Sequence, residues 1–153
     1  MKKVIFICLG NICRSPAAEA IFNKMVSAKG DFLIPYSDSA GLHDYHSGEH
    51  ADRRMRSHAF LRGYNITSLS RKISKDDFYN FDLIIAMDKS VERNLISLAP
   101  DSLSSGKIEL FTHYCTNPLF TEVPDPYYGG DAGFENVLDI LEDGMPSLIT
   151  SLY

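Results

Sequence analysis

The sequence predicts an α/β fold, in which a small parallel sheet of four strands carries helices on both faces. Short, continuous apolar runs alternate along the chain with segments whose apolar residues recur at helical spacing. This pattern is typical of buried parallel strands joined by right-handed helical crossovers. The 153 residues suffice for one compact domain with a real core, and no repeat, low-complexity tract or linker divides them. We therefore expect residues 1–153 to form a single domain.

The first strand and helix are the most clearly marked elements. Residues 3–8 form an apolar run of the kind found in a strand buried on both faces. From Ser15 onward the apolar residues recur at helical spacing. Ser15 can cap this helix, Pro16 suits its first turn, and Gly30 can close it. A strand therefore leads through a short loop directly into a helix start.

The remaining elements follow the same alternation. Residues 33–40 predict a weaker strand, and Pro35 indicates either an edge position or a late start. Pro146 is expected to kink the last helix, because an interior proline costs ~3 kcal/mol. The other predicted elements are a polar helix at 48–62, a buried strand at 81–87, a helix at 89–98, a strand at 108–111 and a helix at 133–152.

Composition narrows the functional classes. The formal net charge of −5 argues against a nucleic-acid binder that neutralises phosphates, and no apolar run approaches the ~20 residues of a membrane span. The three cysteines are too few, and odd in number, for a disulfide framework. We expect a cytoplasmic monomer with at least one functional thiol and with neither a nucleic-acid nor a membrane partner.

The segment between the first strand and helix carries the clearest chemical signal. It is called here the Cys8 loop, and it consists of Cys8, Leu9, Gly10, Asn11, Ile12, Cys13, Arg14 and Ser15. In parallel sheets, ligands bind beyond the carboxyl ends of the strands, where Cys8 is expected. A tight loop entering a helix directs several backbone N–H groups, and the positive end of the helix dipole, at one point. Gly10 and Asn11 can take the positive φ values that such a loop requires.

A phosphate dianion fits this arrangement. Arg14 supplies a planar fork of donors for two phosphate oxygens, and helix N-termini and cations favour the thiolate form of a cysteine. Cys8 would attack phosphorus, and Ser15 could donate to the thiolate and help sulfur leave. A cysteine and an arginine six positions apart also occur by chance. The strand before them and the helix after them favour the functional interpretation.

A second segment could supply the proton that an aryl ester needs as it departs. Asp125 lies in a loop that Pro126 stiffens, and Tyr127 and Tyr128 could form the walls of a slot for an aromatic ring. Asp125 could protonate the leaving oxygen and later accept a proton from the attacking water. Read alone, the segment would more often be a proline turn with two packed tyrosines. The presence of the Cys8 loop in the same chain favours a catalytic role for Asp125.

The Cys8 loop with Pro16, together with residues 125–128, resembles the low-molecular-weight protein tyrosine phosphatases, and the resemblance extends along essentially the whole chain. It implies a phosphatase I-like three-layer sandwich that needs no cofactor or metal, acts on phosphotyrosine proteins and releases inorganic phosphate. It implies that Cys8 is the nucleophile, that Arg14 and the loop amides bind phosphate, and that Asp125 is the general acid. Asn11, Ser39 and Asp88 would support the loop, and Tyr45, Tyr127 and Tyr128 would line the aromatic slot.

Three alternatives remain. A thioredoxin-coupled arsenate reductase would need a later cysteine pair, and only Cys115 follows the loop. Protein arginine phosphatases resemble this loop with a threonine where Ile12 stands. A non-catalytic phosphate-binding module would be expected to lack the cysteine, the arginine or the acid, and all three are present.

Two further patterns receive structural interpretations. Residues 46–50 match the H-x-x-E-H pattern of some zinc proteases, but Gly48 breaks the helix that the pattern needs, so we expect no metal. Arg53, Arg54 and Arg56 could attract acidic phosphopeptides, although a solvated helix face is the expected role.

Overall fold

Four parallel strands form the sheet in a computed structural model, which describes residues 1–30 and 32–153. The strands are β1 (Lys3–Cys8), β2 (Tyr36–Gly41), β3 (Leu83–Ala86) and β4 (Ile108–Leu110), in the spatial order β2-β1-β3-β4. All three pairings are parallel, as the alternation of strands and helices predicts. The sheet positions Cys8 beside Gly41 at its carboxyl edge.

In the described part of the chain, six helices and one 3₁₀ turn connect and cover the strands. The two four-residue helices, Asp77–Asn80 and Ser102–Ser105, and the 3₁₀ turn at Phe111–Tyr114 are not predicted by the sequence, because four residues are too few to show a helical period. The helices are α1 (Arg14–Lys29), α2 (Arg53–Leu61), α3 (Asp77–Asn80), α4 (Lys89–Leu98), α5 (Ser102–Ser105) and α6 (Asp131–Ser151).

Several predicted boundaries shift for local reasons. β2 starts late, directly after Pro35, and is an edge strand. The helix predicted at 48–62 begins only at Arg53, because Gly48 has a φ of +83° and the Asp52 side chain caps α2 through the backbone N–H of Arg54. The expectation that Ser15 caps α1 is wrong. Cys13 precedes the helix without a side-chain cap, and Gly30 ends it with a φ of +68°, as predicted.

Alternate side chains of β1 enter two separate cores, which places the sheet between two helical layers. Val4 and Phe6 pack with α1, α2 and α6 on one face. Ile5 and Ile7 pack with α3 and α4 on the other. All four side chains are fully buried, which explains why the strand shows no polar alternation in sequence.

The last helix continues through its proline. α6 runs unbroken from Asp131 to Ser151, and the Pro146 carbonyl accepts a 2.9 Å hydrogen bond from the Thr150 hydroxyl. Pro146 therefore lies inside a continuous helix, and the expected kink at this position stays a prediction. None of the helices in residues 1–30 and 32–153 is both long enough and apolar enough to cross a membrane.

Candidate active site

The Cys8 loop lies between the end of β1 and the start of α1, and its sulfur is enclosed. Cys8 is 2% exposed, and its Sγ lies 3.0 Å from the Ser15 hydroxyl. Asn11 has a φ of +57°, a conformation that asparagine tolerates better than most residues. Its side-chain amide donates to Ser15 (2.8 Å) and its side-chain carbonyl accepts from the backbone N–H of Arg71 (3.0 Å). The loop is therefore held in a curled form by its own side chains.

Neighbouring segments bind the carbonyl groups of the Cys8 loop. The backbone N–H of Leu42 donates to the Cys8 and Leu9 carbonyls, the Ser70 hydroxyl to that of Gly10 (3.0 Å), and the N–H of Asp52 to that of Ile12 (2.7 Å). Within residues 1–30 and 32–153, the N–H groups of residues 10–13 donate to no protein acceptor. Carbonyl oxygens that are bonded and N–H groups that are not leave this loop with donors available to an anion, and phosphate binding there stays a prediction.

Two glycines here lie close to their neighbours, and the contact at Gly41 is with backbone atoms. The expectation that Gly10 adopts a positive φ is wrong, and of the two candidate residues only Asn11 does so. A Cβ on Gly10 would lie 3.1 Å from Cε1 of His43. A Cβ on Gly41 would lie 2.9 Å from the Leu9 carbonyl oxygen and 3.0 Å from the Asn11 nitrogen. The end of β2 can therefore approach the loop only as glycine.

The Arg14 guanidinium is buried and fixed from behind. Its Nη1 donates to Asp88 Oδ2 (2.6 Å) and to the Val123 carbonyl (3.0 Å), while Nη2 lies 3.7 Å from Asp125 Oδ2. Burial disfavours its charge, but the Cys8 sulfur and the Asp88 carboxylate raise the pKa of Arg14 above its ordinary value. Asp88 also caps α4, because its other oxygen accepts from the N–H of Val91 (2.8 Å). A helix cap thus holds the arginine in position.

The Asp125 carboxylate reaches the site from a loop that is tied to the sheet. Val123 is fully buried, and its N–H donates to the Met87 carbonyl (2.9 Å) just beyond β3. Two residues later, Asp125 accepts the N–H of Tyr127 (3.0 Å) and keeps its other oxygen near Arg14. Its side chain is 41% exposed, so it remains accessible to solvent.

A cleft of about 290 Å³ opens above the sulfur. This is close to the lower end of the ~300–1,000 Å³ range of small-molecule sites, so it suits a single phosphorylated side chain. Tyr45 and Tyr128 are largely exposed at its rim. The residues that line the cleft include every predicted catalytic residue and all three predicted slot tyrosines. The complete lining consists of Cys8, Leu9, Gly10, Ile12, Cys13, Arg14, His43, Tyr45, His46, Asp125, Tyr127 and Tyr128.

Sequence reasoning missed two histidines in the cleft. His43 stacks on Tyr45 with ring centroids 4.1 Å apart, and the His46 ring lies 6.4 Å from that of Tyr127. Isolated histidines in a loop give no periodic signal, so only their positions over Gly10 reveal them. His46 pairs with Glu49 (2.7 Å). Across the described part of the chain, no three metal-ligating side chains come close enough to hold an ion.

Among the described residues, Ser39 forms no hydrogen bond to the Cys8 loop. Its hydroxyl donates to Glu19 (2.6 Å), a carboxyl whose pKa burial raises above its ordinary value. Support for the loop from this side comes from Arg71, which donates its backbone N–H to Asn11 while its guanidinium binds Asp38 (2.8 Å) and Asp77 (2.9 Å).

The cleft brings together the Cys8 sulfur, N–H groups without a protein acceptor, the fixed Arg14 guanidinium and the Asp125 carboxyl group. Phosphoryl transfer to a protein side chain requires this combination of nucleophile, charge stabilisation and proton donor. The fold and the site therefore define a cysteine-dependent phosphatase.

Comparison with known proteins identifies the family. Residues 3–153 match the low molecular weight phosphotyrosine protein phosphatase family, and the chain belongs to it. The human low molecular weight phosphotyrosine protein phosphatase is 39% identical over 137 residues, which cover 89% of this chain and 86% of the human one. The crystal structure of a protein tyrosine phosphatase from Entamoeba histolytica has a TM-score of 0.95 and 46% identity, with 99% and 97% of the two chains covered. A Drosophila arginine phosphatase has a TM-score of 0.87 and 33% identity, with 99% and 98% covered.

Proposed function

We propose that this phosphatase cleaves phosphotyrosine through a phosphocysteine intermediate on Cys8, with Asp125 as general acid and then general base. The observation that carries the proposal is the position of the Cys8 sulfur, 3.0 Å from the Ser15 hydroxyl and in the same loop as N–H groups that have no protein acceptor. The fixed Arg14 guanidinium supplies the remaining positive charge.

In the first step, the Cys8 thiolate attacks phosphorus in line with the leaving phenolic oxygen. Arg14 and the N–H groups of residues 10–13 stabilise the charge on the three equatorial oxygens. Asp125 gives its proton to the departing oxygen, so that tyrosine leaves as a neutral phenol. The sulfur–phosphorus bond forms as the phosphorus–oxygen bond to tyrosine breaks.

In the second step, water attacks the phosphocysteine and inorganic phosphate is released. Asp125, now ionised, accepts a proton from this water. Ser15 donates to the sulfur as it regains its negative charge, which makes Cys8 a better leaving group. One carboxylate therefore serves both half-reactions, and no cofactor is needed.

Tyr45, Tyr127 and Tyr128 define the substrate class in this proposal. Tyr127 and Tyr128 meet edge to face with centroids 5.0 Å apart, and Tyr45 also lines the cleft. A phenyl ring between them bridges the depth from rim to sulfur. A phosphoserine side chain is too short for this distance. The apolar Ile12 side chain in the cleft lining also favours an aromatic substrate over a guanidinium phosphate.

We further propose that the enzyme works in the cytoplasm as a monomer. A catalytic thiolate requires a reducing compartment to remain reduced. The proposed nucleophile, the phosphate-binding arginine and the proposed acid all belong to the cleft lining of a single chain.

The replacement Asp125→Asn tests the proposal. Asparagine retains an oxygen for the N–H of Tyr127 and so preserves the turn, but it cannot donate a carboxyl proton. General acid catalysis is typically worth ~10²–10⁴-fold, and it matters most for a basic leaving group. We expect a large loss of kcat/KM on phosphotyrosine and phenyl phosphate and a smaller loss on p-nitrophenyl phosphate.

Rates across a series of aryl phosphates provide the measurement. Glu122→Gln is the matched control, because Glu122 lies on the same segment and binds the N–H of Lys89 rather than lining the cleft. Cys8→Ser sets the background rate. A leaving-group dependence unchanged in Asp125→Asn, with a uniform loss and a lower melting temperature, would mean that Asp125 is structural and that Asp88 is the next carboxylate to test.

A further inference from the structure

A second concave surface lies beside α2, away from the catalytic cleft. Its volume of about 350 Å³ is comparable to that of the cleft. Ile66 is 7% exposed and supplies an apolar floor, while Phe60 is 70% exposed and forms a wall. We call this surface the basic groove, and it is lined by Arg53, Arg56, Ser57, Phe60, Asn65 and Ile66.

The cations of the basic groove lack the partners that other arginines have. Within residues 1–30 and 32–153, neither Arg53 nor Arg56 forms an ion pair. Arg56 is nevertheless held in place, because its Nε donates to the Ala51 carbonyl (2.9 Å). The arginines that do pair with carboxylates are Arg14, Arg54, Arg62 and Arg71.

A third positive group lies close to the same segment. Lys24 of α1 donates to the Gly63 carbonyl (3.0 Å) and lies over the Tyr64 ring, two residues before the groove-lining Ile66. In a protein with a net charge of −5, two unpaired arginines on a concave surface with this lysine nearby form a local positive patch. Such a patch complements an anionic partner.

The basic groove also lies within reach of the catalytic site. α2 begins where the N–H of Asp52 binds the Ile12 carbonyl of the Cys8 loop, and Arg53 and Arg56 occupy its first turn. α2 has nine residues, which corresponds to a length of about 13 Å. An extended peptide advances ~3.3 Å per residue, so about four residues span the length of α2, and peptide positions about three to six residues from the phosphotyrosine are the ones chosen to test contact with the groove.

We infer that the basic groove docks an acidic segment of the phosphoprotein substrate, about three to six residues from the phosphotyrosine. The inference rests on the proposed function and adds a substrate preference to it. Aspartate or glutamate carboxylates pair with Arg53 and Arg56, and an apolar side chain of the same segment packs between Phe60 and Ile66. The concave shape and the unpaired guanidinium groups distinguish this surface from the solvated helix face that the sequence predicts.

Matched peptides test the inference. Each pair contains the same phosphotyrosine and carries either four glutamates or four glutamines at positions three to six, on the N-terminal side in one pair and on the C-terminal side in the other. Exposed ion pairs are individually weak, so at low salt we expect about a three- to tenfold higher kcat/KM for the glutamate peptide of at least one pair.

Charge reversal then locates the effect. In Arg53→Glu/Arg56→Glu, the preference for glutamate should disappear, and a peptide with four lysines at the same positions should become the better substrate. Arg53→Glu alone leaves the Arg56–Ala51 bond intact and should give part of the effect. Arg93→Glu is the matched control, because Arg93 also forms no ion pair in the described residues but lies on α4. It should keep the preference.

Turnover of p-nitrophenyl phosphate, which cannot reach the groove, separates the two hypotheses. Unchanged turnover in all variants shows that the chemistry is intact, so a missing peptide preference then overturns only the docking inference. Equal loss of preference in Arg53→Glu/Arg56→Glu and Arg93→Glu also overturns it, since the effect would then reflect net charge. No turnover in the wild type would contradict the proposed function itself.

Discussion

Gly41 offers a direct test of how the sheet shapes the catalytic loop, because replacing it with alanine adds one methyl group at a point of close contact. The new Cβ would lie 2.9 Å from the Leu9 oxygen and 3.0 Å from both the Asn11 nitrogen and the Gly10 carbonyl carbon. All three are backbone atoms, which cannot rotate away. Gly41 cannot retreat either, since its N–H and carbonyl are bonded to Arg71 and Ile73 at 2.8 Å. The Cys8 loop must therefore move.

The size of the effect follows from these contacts. Overpacking of this kind costs ~1–3 kcal/mol, and each kcal/mol lowers Tm by about 2–4 °C in a chain of this length, so we expect a Tm lower by roughly 2–12 °C. Misplacing catalytic groups by ~1 Å can cost ~100-fold in rate. A shift of a few tenths of an ångström in the loop should therefore lower kcat/KM on p-nitrophenyl phosphate by about 10- to 100-fold.

Steady-state kinetics and thermal unfolding of Gly41→Ala provide the assay. Gly106→Ala is the matched control, because its Cβ would come no closer than 3.4 Å to any backbone oxygen and lies outside the cleft lining. It should leave both quantities nearly unchanged. The reasoning fails if Gly41→Ala keeps activity within twofold of wild type and melts at the same temperature.

Two further predictions concern oxidation and acid stability. Peroxide should oxidise the Cys8 thiolate to a sulfenic acid, which condenses with the Cys13 thiol to give a disulfide and water. Dithiothreitol should then restore activity in the wild type but not in Cys13→Ser. Peptide mapping that finds only sulfinic or sulfonic Cys8 in the oxidised wild type would contradict this prediction. Burial disfavours the Asp77 charge, but hydrogen bonds from Arg71 and Ser74 lower the pKa of this carboxyl group overall, so the stabilisation that it provides is present at neutral pH and lost as pH falls below about 4. Asp77→Asn should therefore lower the free energy of unfolding, measured in urea, at pH 7 and much less at pH 3. An equal difference at both pH values would argue against this role of Asp77.

The parts of the fold that the sequence predicts are those whose signals are local. The run at residues 3–8 reads as a buried strand because both faces of β1 are covered. The Cys8 loop is recognisable because nucleophile, arginine and helix start lie within eight consecutive residues. The four-stranded parallel sheet, though not the order of its strands, follows from alternation and short crossovers, without any knowledge of individual contacts.

The parts that the sequence does not predict depend on contacts between distant positions. Asn11 and Arg71 are 60 positions apart, and no pattern in either segment indicates their hydrogen bond. Ser39 was expected to support the loop and instead binds Glu19, because the α1 face that carries Glu19 packs beside β2. Cys13 gives a further example: burial, more than the charge of Asp52, raises its pKa well above its ordinary value, which only the folded chain reveals.

The charge distribution connects the two proposed sites. A chain with a net charge of −5 repels a phosphorylated, acidic substrate at long range, so affinity must come from short-range donors. The N–H groups of residues 10–13 and Arg14 provide such donors for the phosphate, but they lie inside a cleft that an approaching protein meets last. Arg53 and Arg56 lie at the surface, on the first turn of a helix that is bonded to the Cys8 loop. In the docking proposal, they hold the substrate chain while the phosphotyrosine enters the cleft, and an acidic enzyme thereby selects acidic substrates.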